Sequence, residues 1–79
     1  MNDKELHYML VIAETGSIQK ASAVLDKNAS SLSRMVRRLE EELDIPLFRR
    51  TPTGLIPTPE GTVYLKAARD ILDIYEELR

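Results

Sequence analysis

The chain has no cysteine, so neither a disulfide nor a thiolate metal site is available to it. That fits a reducing compartment without requiring one. Long apolar runs are also missing. The longest, Tyr8 to Ala13, falls far short of the ~20 residues a membrane span needs. The start, Met1-Asn2-Asp3-Lys4-Glu5, is charged and lacks the regions of a signal peptide. These absences predict a cytoplasmic protein with no membrane partner. Histidine occurs once, at His7, with no cysteine nearby and no paired acid at a catalytic spacing, which argues against an enzyme. No metal and no cofactor is expected. Glu40-Glu41-Glu42 are successive residues of a helical segment and face different ways, so they read as a solvated face. No internal repeat or low-complexity segment interrupts the chain.

What is present is enough for one small domain of 79 residues. A domain this short buries only roughly 60–65% of the surface its unfolded chain exposes, so it stands to gain stability from a partner. Net charge is −2, but its distribution is uneven. Residues 1–19 and 51–79 each carry −2, while residues 20–50 carry +2 and hold five arginines between Arg34 and Arg50. On charge alone, a solvated surface remains the simpler reading.

Periodicity predicts a helical body. Leu6, Met9, Leu10 and Ala13 recur at helical steps. Asp3 is the expected cap of this first helix, and Gly16 its left-handed end. Ser17 is the expected N-cap of a short second helix with Ile18, Ala21, Ser22 and Leu25 inward. Asp26-Lys27-Asn28 makes a polar turn, and Asn28 caps a third helix. Leu32, Val36, Leu39 and Leu43 form that helix's buried stripe. Ser30, Arg34, Arg37 and Glu41 lie opposite, with Ser33 and Arg38 on the flanks. Bases thus precede acids along this helix, the reverse of what its macrodipole favours. Arg37–Glu41 and Arg38–Glu42 pairs at four-residue spacing would partly offset the cost.

Pro46 ends the helix. Leu47 to Arg50 and Leu55 to Pro57 flank Thr51-Pro52-Thr53-Gly54 and suggest a hairpin, with Pro57 at an edge. Thr58-Pro59-Glu60 is a strong start for a fourth helix that runs toward Arg79. Along it Tyr64, Ala68, Ile71, Tyr75 and Leu78 follow steps of four, three, four and three, a heptad-like seam with Leu65 and Leu72 beside it.

In order and spacing, these segments together resemble the N-terminal domain of LysR-type transcriptional regulators. The carrying residues are Ala13-Glu14-Thr15-Gly16-Ser17-Ile18, Ala21, Leu25, Leu32-Ser33-Arg34 and Arg37-Arg38-Leu39-Glu40-Glu41-Glu42-Leu43. Ile45-Pro46-Leu47-Phe48-Arg49-Arg50 and Thr58-Pro59-Glu60-Gly61 continue the match. The resemblance implies a mainly α fold: a winged helix-turn-helix with a three-helix body and a short β-hairpin wing, plus a long C-terminal linker and dimerisation helix. Residues 1–58 would form the DNA-binding domain and 59–79 the linker helix. The effector-sensing domain of the family would be absent from this chain, and with it any small-molecule effector site.

The resemblance further implies binding of double-stranded DNA, with a recognition helix at about residues 29–43 in the major groove. Ser33 and Arg34 match positions that approach bases and backbone. Arg34 is suited either to guanine O6/N7 or to a phosphate. Arg37 and Arg38 are suited to phosphates or to the neighbouring glutamates. Thr15, Ser17 and Lys20 are candidate backbone contacts, Ser17 being equally a cap. Arg49 and Arg50 resemble the basic end of the first wing strand. Many members open the recognition helix with Ser-Gln-Pro, where this chain has Asn28-Ala29-Ser30. Ala29 cannot make the Gln hydrogen bond, though a thymine methyl contact remains open to it. The wing carries Thr53 and Ile56 where a basic residue is common. These departures predict an unusual operator preference or weaker binding.

The implied homodimer would form through Tyr64, Ala68, Ile71, Leu72, Tyr75 and Leu78, which are expected to stay wet in a monomer, and would address an interrupted palindrome. The competing reading is a helical dimerisation or protein-binding module without DNA affinity. The fourth helix alone is compatible with it; the arginine face of the third helix argues for DNA.

Overall fold

Asn2 opens the first helix of the computed structural model, which describes residues 1–79 in full. Its extended backbone places the side chain to accept from Glu5 N at 2.9 Å. Asp3, the expected cap, is already helical and instead puts its charge in the first turn with Glu5, where the macrodipole favours it. Helix α1 (Asp3–Thr15) ends at Gly16, whose φ of 67° lies in the left-handed region. Ser17 caps α2 (Ile18–Leu25), and Asn28 caps α3 (Ala29–Leu43) by accepting from Ser31 N at 3.1 Å. Strands β1 (Phe48–Thr51) and β2 (Gly54–Pro57) form one antiparallel ribbon, pairing Phe48 with Pro57, Arg49 with Ile56 and Arg50 with Leu55. Helix α4 (Pro59–Glu77) starts on Thr58. Each boundary has a local chemical cause, which the sequence predicts except at the first cap and at the end of α3, where left-handed Asp44 rather than Pro46 stops the helix.

Met9, Ile12, Ala21, Leu32, Leu39 and Leu47 form the centre of the core. Three helices therefore meet around residues at helical spacing, and Leu47, just before β1, seals the base. Leu43, expected in the same stripe, is 37% exposed. The reason is the turn after it. Asp44 takes a left-handed conformation and reverses the chain, so Leu47 and half-buried Ile45 fill the space instead.

Two close approaches fix the wing and α4 to this body. Leu55 N donates to Gly16 O at 2.9 Å, and a Cβ at Gly54 would stand 2.4 Å from that same oxygen. A Cβ at Gly61 would stand 1.9 Å from Leu47 O. Both glycines are present because the backbones touch there.

Helix α4 packs along α1, with Glu14 and Arg69 paired at 3.2 Å. This corrects half of the expected seam, while Ile71, Tyr75 and Leu78 are exposed as expected. Ala68 is fully covered, and Tyr64 and Leu72 are half-buried against the chain's own body. About 100° further round the helix lies a second strip, Val63, Ala67, Ile71, Ile74 and Leu78, and all five are exposed. Periodicity finds both strips but does not say which one α1 covers.

Tyr64 carries the one buried side-chain polar atom without a partner, its hydroxyl. Burial, with a smaller push from the charge of Glu5, raises its pKa from 10.0 to about 12. The neutral phenol is thus the folded form, and its share of stability is complete below pH 10 and lost as pH rises toward 12. An orphaned donor costs about 1 kcal/mol or more. Tyr64→Phe is therefore expected to raise the melting temperature at pH 7 by about 4–8 °C and to remove the alkaline loss. A melting temperature lowered by the change would show that the hydroxyl has a partner after all.

Candidate nucleic-acid interface

Leu32 and Leu39 point α3 inward, which determines what its other sides present. Ser30, Arg34, Arg37 and Glu41 form an exposed outer ridge. On one flank Ser33 and Glu40 line a cleft with Ile18, Phe48, Arg50 and Leu55. On the other, Ser31, Met35 and Arg38 line a groove against Lys4, Glu5 and Tyr8. The wing and α1 thus stand on opposite sides of α3.

The ridge arginines are available. Arg37 makes no ion pair, since the expected Arg37–Glu41 pair does not form. Arg34 makes only a 3.3 Å hydrogen bond to Ser31 Oγ. Arg38 differs. It bonds Glu42 at 2.9 Å and also Glu5 on α1, and these bonds, with Glu42 the larger cause, push its pKa above the usual arginine range. Its place on the α1 flank commits it to tying α3 to α1, away from the ridge.

The ribbon separates Arg49 from Arg50, because successive strand residues face opposite ways. Arg50 shares a face with Leu55 and stands over the cleft beside Ser17, Gln19 and Ser33. Arg49 pairs across from exposed Ile56 on the far face. The sequence treats the two arginines alike; the pleat does not.

Hydroxyls and amides sort in the same way. Thr15 is half-buried, and its hydroxyl donates within the α1–α2 turn to Val11 O at 2.9 Å, with Ser17 O at 3.1 Å. That commitment turns it away from the surface where a backbone contact was expected. Ser17 accepts from Lys20 N at 3.2 Å, which leaves its proton free to donate outward. Asn28 spends its side-chain oxygen on the cap. Ala29 is half-buried and Lys20 exposed. Thr53 sits at the wing tip, its hydroxyl 3.2 Å from that of Thr51.

A helix-turn-helix carrying an unpaired basic ridge, with a hairpin on one flank, is now complete. Residues 4–62 match the model of the bacterial regulatory helix-turn-helix proteins of the lysR family. The chain belongs to the LysR family. Among its relatives are the transcriptional regulators ClcR of Pseudomonas putida, 34% identical over 96% of this chain, and CrgA of Neisseria meningitidis, 39% identical over 90%. The chain spans only 26% and 24% of those proteins' length. Among solved structures, the BenM DNA-binding domain in complex with catB site 1 DNA superposes with a TM-score of 0.92. It is 32% identical, over 99% of this chain and 88% of that one. The CbnR DNA-binding domain in its DNA complex gives 0.90 at 28% identity, over 98% and 88%. The fold is thus the winged helix-turn-helix of LysR-family DNA-binding domains, with α2 and α3 as the motif and the ribbon as the wing.

Against that LysR frame, sequence reasoning overlooked four residues. Gln19 joins Ser17 and Arg50 in the cleft, which its place in the first turn of α2 already hints at. Lys4 and Lys27 line the α1-side groove, Lys27 lying 6.0 Å from the Tyr8 ring centre. They come from distant segments, so no local pattern brings them together. Glu40, read as solvated, is half-buried and bonded to the backbone of β1.

Proposed function

We propose that this chain reads duplex DNA with the outer ridge of α3 in the major groove, as one half of a two-fold dimer. The observation that carries the reading is the exposed, unpaired line Ser30–Arg34–Arg37 on α3, flanked by Arg50 on one side and by Lys4 and Lys27 on the other. A helix lying in the major groove has a phosphate strand along each side. Arg34 is assigned to base readout, and Arg37, Arg50, Ser17, Gln19, Lys4 and Lys27 to phosphates. Lys20 and Thr53 stay near the backbone, and Ala29 toward a thymine methyl. This assignment leaves out Thr15, Arg38 and Arg49, whose groups are committed elsewhere or face away, and gives the side-chain N–H groups of exposed Asn28 to a phosphate. We assign a regulatory role and no catalytic one, to be exerted in the bacterial cytoplasm. No helix is long and apolar enough to cross a membrane. The body of residues 1–58 would contact DNA, and residues 59–79 would join it to a partner. Effector sensing would fall to a further domain of the kind that makes its LysR relatives several times longer.

For the dimer, the occupant of the exposed α4 strip is a second copy of α4, antiparallel to the first. Under a two-fold axis near Ile71, Val63 meets Leu78, small Ala67 meets Ile74, and Ile71 meets its own copy at the centre. The surface is self-complementary, as an isologous interface must be.

Selection of bound sequences from a random duplex pool tests the DNA reading. Affinity for the best site is expected to fall steeply from low to physiological salt, because phosphate contacts release counterions. Arg34→Ala should cost about 1–3 kcal/mol and flatten preference at one base pair per half-site. Arg50→Ala should weaken all sequences alike. Salt-independent binding would remove phosphates as its source. Uniform losses for both mutants would move Arg34 from bases to backbone.

A further inference from the structure

Glu40 is the one carboxylate on α3 that turns toward the wing. It lies on the inner edge of the wing-side flank and is half-buried. Its Oε2 accepts from Leu47 N at 2.6 Å and from Phe48 N at 3.2 Å. These are the N–H groups of the two residues that carry the chain into β1. Leu47 precedes the β1–β2 ladder, and Phe48 is its first residue, paired with Pro57, which has no N–H to give. Two charge-assisted bonds to one oxygen are among the stronger contacts a small domain makes.

The same segment is held from the opposite side. Leu47 O accepts from Thr58 N at 3.0 Å, and Thr58 Oγ1 donates to Pro46 O at 2.6 Å. Pro46-Leu47-Phe48 is therefore gripped between the recognition helix and the start of α4. Arg37 and Arg50 both line the clefts that Glu40 lines, yet neither comes within ion-pair distance of it. Its charge is satisfied by backbone N–H groups, which leaves both arginines free.

We infer that Glu40 is the positioning residue of the wing: it fixes β1 to α3, so that Arg50 reaches the DNA backbone in register with the ridge. This rests on the DNA reading given above, and adds that β1 takes its register with the ridge from the recognition helix, while the Leu55 N–Gly16 O bond holds β2 to the α1–α2 turn. Without the carboxylate, β1 keeps its ladder with β2 but loses its bond to α3. β2 stays bonded to Gly16 through Leu55 N, but β1 is no longer fixed against α3, and Arg50 loses its register with the ridge.

The test is a double-mutant cycle on the full chain, with the best duplex from the selection. Arg50→Ala alone is expected to weaken binding about tenfold, the usual loss for one charge-assisted contact. In a Glu40→Ala background the same change should cost less than about twofold, whereas Arg34→Ala should cost the same in both backgrounds. Simple destabilisation by Glu40→Ala would leave both losses additive, and that result overturns the proposal. Amide exchange of Glu40→Gln gives a second readout that needs neither DNA nor the alanine variant. Leu47 and Phe48 should exchange at least about tenfold faster while Leu39 and Ile12 keep their protection, the mark of a local opening. Unchanged exchange at Leu47 and Phe48 equally overturns it. If Arg50→Ala alone leaves affinity intact, the wing's DNA contact is what fails, and the exchange rates decide the role of Glu40 by themselves.

Discussion

Gly61→Ala is expected to unfold much of the domain at 37 °C. The added Cβ would stand 1.9 Å from Leu47 O and 2.9 Å from the carbonyl carbon. Neither atom belongs to a flexible side chain that could step aside. Leu47 is bonded on both faces, its N to Glu40 and its O to Thr58 N. Relief requires the start of α4 to lift away from β1, which uncovers Leu47, now 1% exposed. Overpacking of a core costs about 1–3 kcal/mol, and more where backbone must move. A chain of this size has roughly 4–12 kcal/mol in all. A thermal melt should show a midpoint lower by about 15 °C or more, at about 4–8 °C per kcal/mol. A shift within about 3 °C would mean that the α4–β1 contact yields easily, contrary to the bonding that surrounds it.

The double change Val63→Asp with Ile74→Asp is expected to separate the subunits and leave the fold intact. Both residues are exposed in the single chain, at 70% and 54%, so the body does not depend on them. In the antiparallel pair, each new charge would be buried against Leu78 or Ala67 of the other copy, without a partner. An unpaired buried charge is prohibitive. Sedimentation at micromolar concentration should give two chains for wild type and one for the variant, with the same helical circular dichroism. Binding to two half-sites should fall by about 10²–10⁴, the advantage that linkage confers. Leu72→Asp is the contrasting variant. Its side chain lies in the groove between α1 and α4, so it should lower stability before it affects assembly. A wild-type mass of one chain, unchanged by the double mutation, would remove the dimer from the proposal.

These outcomes depend on features of unequal legibility. Caps and turns were readable because their causes lie within four residues: Ser17 to Lys20, Asn28 to Ser31, Thr58 to Gly61. The hairpin was readable from Gly54 and the prolines around it. The roles of individual charges were not, because their partners are remote. Arg38 lies 33 positions from Glu5, and nothing near either predicts the bond. Glu40 looked like its neighbours Glu41 and Glu42 until the fold brought β1 beneath it. On α4, two apolar strips share one helix, and only the position of α1 decides which of them is left open. The candidate DNA surface shows the same division. Its ridge came from the period of α3, its flanks only from tertiary packing.

The packing of α4 along α1 has a consequence for a chain leaving the ribosome. The first helix emerges early, but the face it shares with Ala68 stays wet until some fifty further residues have followed. At roughly 5–20 residues per second, that wait lasts roughly 3–10 s. Throughout it, the N-terminal helix can fold only against α2 and α3, with Leu10 and Val11 beside an empty groove. The growing chain therefore carries an uncovered apolar face on α1 until α4 has been made, and native contact with α4 then removes it.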